Sequence, residues 1–143
     1  MTLLDTNVIS ELVRREPDPG VVAFVRGLAA DSVFTAAICE AEIRWGLARM
    51  PPGSRRDDLT ARIGELLLRG FAGRILVFDS ACAALYGEVR ASREAGGKPI
   101  SVEDAMIAAT ARAYGVALAT RNVPDFEGCG VEAIVNPWGG AGG

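Results

Sequence analysis

Short unbroken apolar runs alternate along the chain with longer stretches in which apolar residues return every three to four positions, the signatures of buried strands and of helices. Leu3 to Asp5 reads as a first strand and Thr6 to Arg14 as a helix, with Val8, Ile9, Leu12 and Val13 at helical spacing. EPDPG then breaks the chain. A second helix is expected over Val21 to Ala30 and a second strand in SVFTAA, residues 32–37. A helix over Ile38 to Met50 stops before Pro51, Pro52 and Gly53. Arg55 to Arg69 reads as one amphipathic helix, its arginines a solvated face and Leu59, Ile63, Leu66 and Leu67 its apolar stripe. RILVFD (74–79) is a third strand, and Ser80 to Ala95 a helix stopped by Gly96 and Gly97. Residues 100–115 form a nearly all-apolar helix closed by Gly115. VALAT (116–120) is a fourth strand and VEAIVNP (131–137) a short fifth. Strands alternating with helices imply parallel pairing and right-handed crossovers, an α/β sandwich of four to five strands. The glycine-rich tail, residues 139–143, has nothing to bury and is expected to be disordered, leaving 1–138 as one domain.

The 143 residues are half hydrophobic, enough for one substantial core. Cys39, Cys82 and Cys129 are odd in number and widely spaced, which reads as reduced thiols rather than a disulfide framework or zinc site. No basic segment precedes an apolar run, and the longest apolar stretch, near Ala105 to Ala119, is interrupted by Arg112. A cytoplasmic protein without a membrane span is expected. Fourteen of the fifteen basic residues are arginine and Lys98 is the only lysine, yet the net charge is −3, which excludes a bulk polyanion binder. The chain has no histidine, which removes Ser-His-Asp triads, Cys-His pairs and histidine metal sites together.

What remains is carboxylate chemistry. Ligands of open α/β sheets gather beyond the carboxyl ends of the strands, and Asp5 ends the first strand. Capping of the following helix is an equally available role for it. Glu42 falls between two apolar rows of its helix, one of Cys39, Ile43, Gly46, Leu47 and Met50 and the other of Ile38 and Trp45, with Gly46 leaving room for close approach. Glu40 lies on the opposite shoulder and pairs with Arg44. Asp104 completes a capping-box pattern, Ser101-Val102-Glu103-Asp104, but it also opens a helix that is apolar all round. After strand four, Thr120, Arg121, Asn122 and Asp125 lie at the same edge as Asp5, with Arg121 the only basic residue there. Asp79 ends strand three and reads as a helix cap. Three or four carboxylates at one sheet edge repel one another unless a cation intervenes. Oxygen-only ligands suit Mg²⁺ or Mn²⁺ and metal-assisted phosphodiester hydrolysis.

LLDTNVISEL at the start, AEIRWGL in the first third, ISVEDAMIAATARAYGVALATRNVPDF and the closing VNPW together resemble a PIN-domain ribonuclease, nearest to the VapC/FitB-type toxins and StbB-like plasmid-stability proteins of bacterial toxin–antitoxin pairs. The resemblance implies a PIN-like three-layer sandwich, a parallel sheet surrounded by helices, and RNA cleavage with Mg²⁺ or Mn²⁺. It places the family's metal-binding acids on Asp5, Glu42 and Asp104. The fourth position falls on Asn122, where some relatives carry aspartate, and Asp125 is the candidate to restore that charge. Thr6, Asn7, Thr120 and Arg121 would line the substrate. It also implies a small antitoxin with a DNA-binding amino half, whose tail fills the acidic cleft with an arginine. A homodimer is expected too, since the early helices and the Leu59 to Leu67 stripe exceed what the sheet can cover. Two rivals stand beside this reading. One is a catalytically weak PIN-fold module that binds RNA or its partner without cleavage; the other is a phosphoacceptor receiver domain built on Asp79.

Overall fold

Five short parallel strands carry the fold in a computed structural model of the chain that describes residues 1–139. They are β1 (Thr2–Leu4), β2 (Val33–Ala36), β3 (Ile75–Leu76), β4 (Ala117–Ala119) and β5 (Ile134–Val135), in the spatial order β3-β2-β1-β4-β5. The seven helices are α1 (Thr6–Leu12), α2 (Pro19–Arg26), α3 (Ala37–Arg49), α4 (Ser54–Glu65), α5 (Ser80–Ala95), α6 (Val102–Tyr114) and α7 (Val123–Phe126). Side chains of β1 alternate between two cores: Leu3 faces Ile107, Ala108 and Leu118, while Leu4 faces Val8, Ile43 and Ala119. One core lies on each face of the sheet, giving the three layers expected for strands covered on both sides. Of the glycine-rich tail, only Gly139 belongs to the described residues.

Several boundaries differ from those read in the chain, for identifiable reasons. EPDPG is a helix start as well as a break: Asp18 accepts hydrogen bonds from the Gly20 and Val21 amides, and Pro19 takes the first helical position, where its missing N–H costs nothing. The helix expected through Arg69 leaves α-geometry at Leu66 and ends in a π-turn over Leu66–Gly70. The stripe on it is spent inside the molecule, for Ile63 and Leu67 are each 3% exposed and Leu59 and Leu66 pack against the same core. That removes the stripe as a reason to expect a dimer. Nor are all its arginines merely solvated, since Arg62 donates to the Val13 carbonyl and Arg56 to that of Met50. Beyond strand four, residues Val123–Phe126 form helix α7, with Pro124 in its first turn, where it needs no donor.

Candidate active site

Parallel register brings the first acid into place. Leu4 of β1 stands opposite Ala119 of β4, so the residues that follow, Asp5 and Thr120, leave the sheet side by side. Asp5 is 4% exposed, and its carboxylate is fully engaged. Oδ1 accepts from the Thr6 amide at 2.7 Å, and Oδ2 accepts from the Thr120 hydroxyl at 2.7 Å and from Asn7 Nδ2 at 3.4 Å. The Thr120 hydroxyl in turn accepts from the Asn122 amide at 3.1 Å. Capping and site-building are therefore one arrangement at Asp5. Thr120 is completely buried, so it does not line a substrate surface; it orients Asp5 from behind.

Glu42 comes from α3, which packs against both α1 and α6. Its Oε1 accepts from the Thr6 hydroxyl at 2.9 Å. Only half of the apolar flank expected beside it forms: Ile38 packs against the core, whereas Trp45 is 63% exposed and stacks under Arg49, and Gly46 faces open space. The core side of α3 is carried by the buried Cys39, Ile43 and Leu47, with Ile38 and Met50 packed at its margins. Glu40 pairs with Arg44 at 2.7 Å, as expected. Asp104 enters at the third position of α6, where its amide donates to the Ser101 hydroxyl at 3.1 Å. The left-handed Gly115 closes the same helix at φ 63°, a conformation that needs glycine.

Asp5, Glu42, Asp104 and Asn122 line one open cleft of about 650 Å³, together with Thr6, Asn7 and Arg121. Burial raises the pKa values of Asp5, Glu42 and Asp104 above their ordinary range, and the carboxylates reinforce the effect on one another. Hydrogen bonds from Thr120 and Thr6 partly offset it at Asp5, and Thr6 does so at Glu42. Burial likewise pushes the Cys39 thiol to about 12, with Asp5 adding to it, which makes this cysteine inert. None of the three acids pairs with an arginine or lysine among the described residues. No group of three or more acidic or cysteine side chains among the described residues is gathered closely enough to hold a metal ion.

Asp125 does not line the cleft. It lies exposed on α7, and its charge still raises the pKa values of Asp5 and Asp104. What holds α7 near the cleft is Arg93, which no sequence pattern singled out. This guanidinium, 8% exposed, donates to three main-chain carbonyls: Lys98 at 2.7 Å, Pro124 at 3.3 Å and Glu127 at 2.7 Å. One side chain thus ties the approach to Asp104 to the turn that carries Asn122 and Asp125. Asp79 caps α5 through the Cys82 amide and takes no part in the cleft, which removes the receiver reading.

The cleft also holds residues that the chain pattern missed. Ser10 and Glu11 from α1, Arg14 just beyond it, Arg55 from α4 and Trp138 after β5 complete its walls. Arg121 is therefore not the only basic residue at this edge. Ser10 was legible in principle, since it follows Asn7 at helical spacing on one face of α1. Arg55 and Trp138 were not, because only the folded chain brings them there.

A model of the PIN domain matches residues 2–125. The chain is 43% identical to the VapC ribonuclease Y4jK of Sinorhizobium fredii, over 96% of this chain and 98% of that one. It is 42% identical to the toxin FitB of Neisseria gonorrhoeae, over 96% of this chain and 99% of that one. Its fold matches the solved structure of FitAB bound to an IR36 DNA fragment with a TM-score of 0.89, covering 97% of this chain and 96% of that one at 42% identity.

Proposed function

Because the chain belongs to the PIN-domain family, we propose that it is a metal-dependent endoribonuclease in which Asp5, Glu42 and Asp104 form the working acids. The observation that carries this reading is the convergence of three carboxylates, from β1, α3 and α6, on one cleft where burial and mutual repulsion leave their charge uncompensated. An all-oxygen donor set without histidine fits a hard divalent cation, Mg²⁺ first and Mn²⁺ second. A bound divalent cation supplies Lewis-acid polarisation of the scissile phosphoryl group.

The protein's own contribution is orientation. Asp5 and Asp104 would hold the ion, and Thr120 and the Thr6 amide fix the Asp5 carboxylate so that it pays no reorganisation cost during the reaction. Glu42, tethered through Thr6, would supply the third carboxylate toward it. Asn122 offers a neutral carbonyl oxygen at the cleft wall, and Asp125 adds negative charge from outside it. Asn7 and Thr6 present polar atoms to the strand. The unit is residues 1–138, and it acts in the cytoplasm, where three buried free thiols remain reduced. Among the described residues no helix is long and apolar enough to cross a membrane.

Identity to the toxin FitB supports a place as the toxin of a toxin–antitoxin pair, with a small DNA-binding antitoxin as partner. A homodimer follows from the family resemblance alone, and light scattering at micromolar concentration tests it. The deciding experiment is cleavage of single-stranded or looped RNA by the purified chain. Cleavage with Mg²⁺ or Mn²⁺ that stops in EDTA is expected; cleavage that persists in EDTA refutes the metal role. A chain that binds RNA without ever cutting it is instead a binding module.

A further inference from the structure

Beyond the acids the cleft continues into a second cavity of about 430 Å³, and the two share Glu11, Arg14, Arg121 and Trp138 as a common wall. This wall is unlike the acidic floor. The Arg121 guanidinium lies 5.0 Å over the Trp138 ring. Both partners are held from behind: the Arg121 amide donates to Asn7 Oδ1 at 3.3 Å, and the Trp138 amide donates to Asn136 Oδ1 at 2.9 Å beside the buried Pro137. Arg121 pairs with no carboxylate among the described residues, and its outer face is exposed. Arg14 stands next to it, 65% exposed along its side chain and anchored to the buried Glu11 at 3.1 Å.

A flat guanidinium backed by an indole is a stacking surface for a nucleobase, and a neighbouring arginine is a phosphate contact. We propose that Arg121, Trp138 and Arg14 form a nucleotide subsite of this chain: an RNA base flanking the scissile phosphate stacks on the Arg121–Trp138 pair while its phosphate meets Arg14. The subsite rests on the ribonuclease reading and deepens it. It takes one nucleotide rather than a long strand, because Glu16 and Asp18 also line the second cavity and their negative charge disfavours further phosphates there. In a protein of net charge −3, affinity for RNA therefore comes from this local arrangement and not from the surface as a whole.

The test uses the full chain carrying Trp45→Phe, which leaves Trp138 as its only tryptophan and touches a residue outside the cleft. The probe is a short single-stranded 2′-O-methyl RNA, which resists cleavage, compared with the same oligonucleotide made abasic. The RNA is expected to quench Trp138 emission, and the abasic strand to bind without quenching. Arg121→Gln weakens binding about tenfold, the scale of one stacked base. With cleavable RNA it raises KM while leaving kcat within about twofold, as loss of uniform binding requires. Trp138→Phe keeps most of the affinity that Trp138→Leu loses. Arg14→Gln lowers the salt dependence of binding by about one phosphate contact.

RNA that binds with Trp138 emission unchanged, or an Arg121→Gln protein that binds like its parent, overturns the subsite while the nuclease reading stands on cleavage by the parent. A parent that neither binds nor cuts RNA overturns both. Quenching by an acidic peptide where RNA gives none assigns the wall to a protein partner and likewise overturns the proposal.

Discussion

Asp5 and Asp125 are both aspartates that follow the carboxyl ends of neighbouring strands, and the fold treats them in opposite ways. Asp5 leaves β1 in the middle of the sheet, is buried, and accepts three hydrogen bonds. Asp125 sits five residues beyond Thr120 on an exposed helical turn, attached through Arg93 to the main chain around it and acting on the cleft by its field. An acid placed by the sheet is positioned by the same forces that fold the protein. An acid on a peripheral turn is positioned by one side chain, and its contribution is correspondingly easier to remove.

The largest effect should come from the buried acids. Asp5→Asn and Asp104→Asn are each expected to abolish RNA cleavage while the fold persists, checked by a gel assay alongside circular dichroism; if Asp104→Asn unfolds, capping of α6 is its main role. The same carboxylates make stability depend on pH. Their pKa values are raised in the folded state, so their contribution to stability is complete below the unfolded values, 3.8 for Asp and 4.5 for Glu. It is lost as pH rises through the raised folded values. Metal-free protein should therefore show a falling Tm from about pH 4 towards neutrality. Asp5→Asn should flatten that fall, and added Mg²⁺ should restore Tm for the parent but not for the variant. A metal-free Tm that rises over this range would contradict the burial argument.

Next in size is the hydroxyl behind Asp5. Thr120→Val keeps the shape and removes the donor, and an outer partner of a metal-binding carboxylate is expected to cost about 10- to 100-fold in metal affinity or turnover. Calorimetric titration with Mn²⁺ separates the two, and wild-type affinity in this variant would show that Asp5 orients itself.

Arg93 sharpens the contrast from the peripheral side. Arg93→Met should lower stability by about 2–3 kcal/mol, because it leaves three carbonyls without their charged donor. Cleavage should fall several-fold through misplacement of α7, and Arg93→Lys should recover part of it. If denaturant melts show no loss, α7 does not depend on this tie.

The smallest effects belong to the fourth position itself. Asn122→Asp should tighten Mn²⁺ binding by adding charge at the cleft wall, and Asp125→Ala should slow cleavage by less than Thr120→Val does, but by more than Asp79→Ala, which lies outside the cleft. Unchanged affinity in the first and unchanged rate in the second would mean that three carboxylates suffice.

Much of this architecture was already written in local patterns. Short unbroken apolar runs marked the strands, and glycine stops bounded α5 over Ser80–Ala95 and the apolar α6, because burial and helix termination both leave a local trace in the chain. The acids Asp5 and Asp104 were visible at strand and helix ends, and Glu42 between the apolar rows of its helix. Short-range chemistry was less legible where two signals overlapped. Asp18-Pro19 reads as a break and starts a helix, and Trp45 reads as apolar flank and faces water.

The sequence by itself determined the strand–helix alternation, the absence of histidine chemistry and which carboxylates are candidates for the site, since these depend on residue type and near neighbours. Tertiary structure alone decided that Thr120 turns its hydroxyl onto Asp5 across 115 positions, that Arg93 gathers Lys98, Pro124 and Glu127, and that Arg121 and Trp138 form one wall with Arg14. Such contacts join residues far apart in the chain, so no local period encodes them; they arise when parallel register and a two-sided core bring distant segments to the same sheet edge.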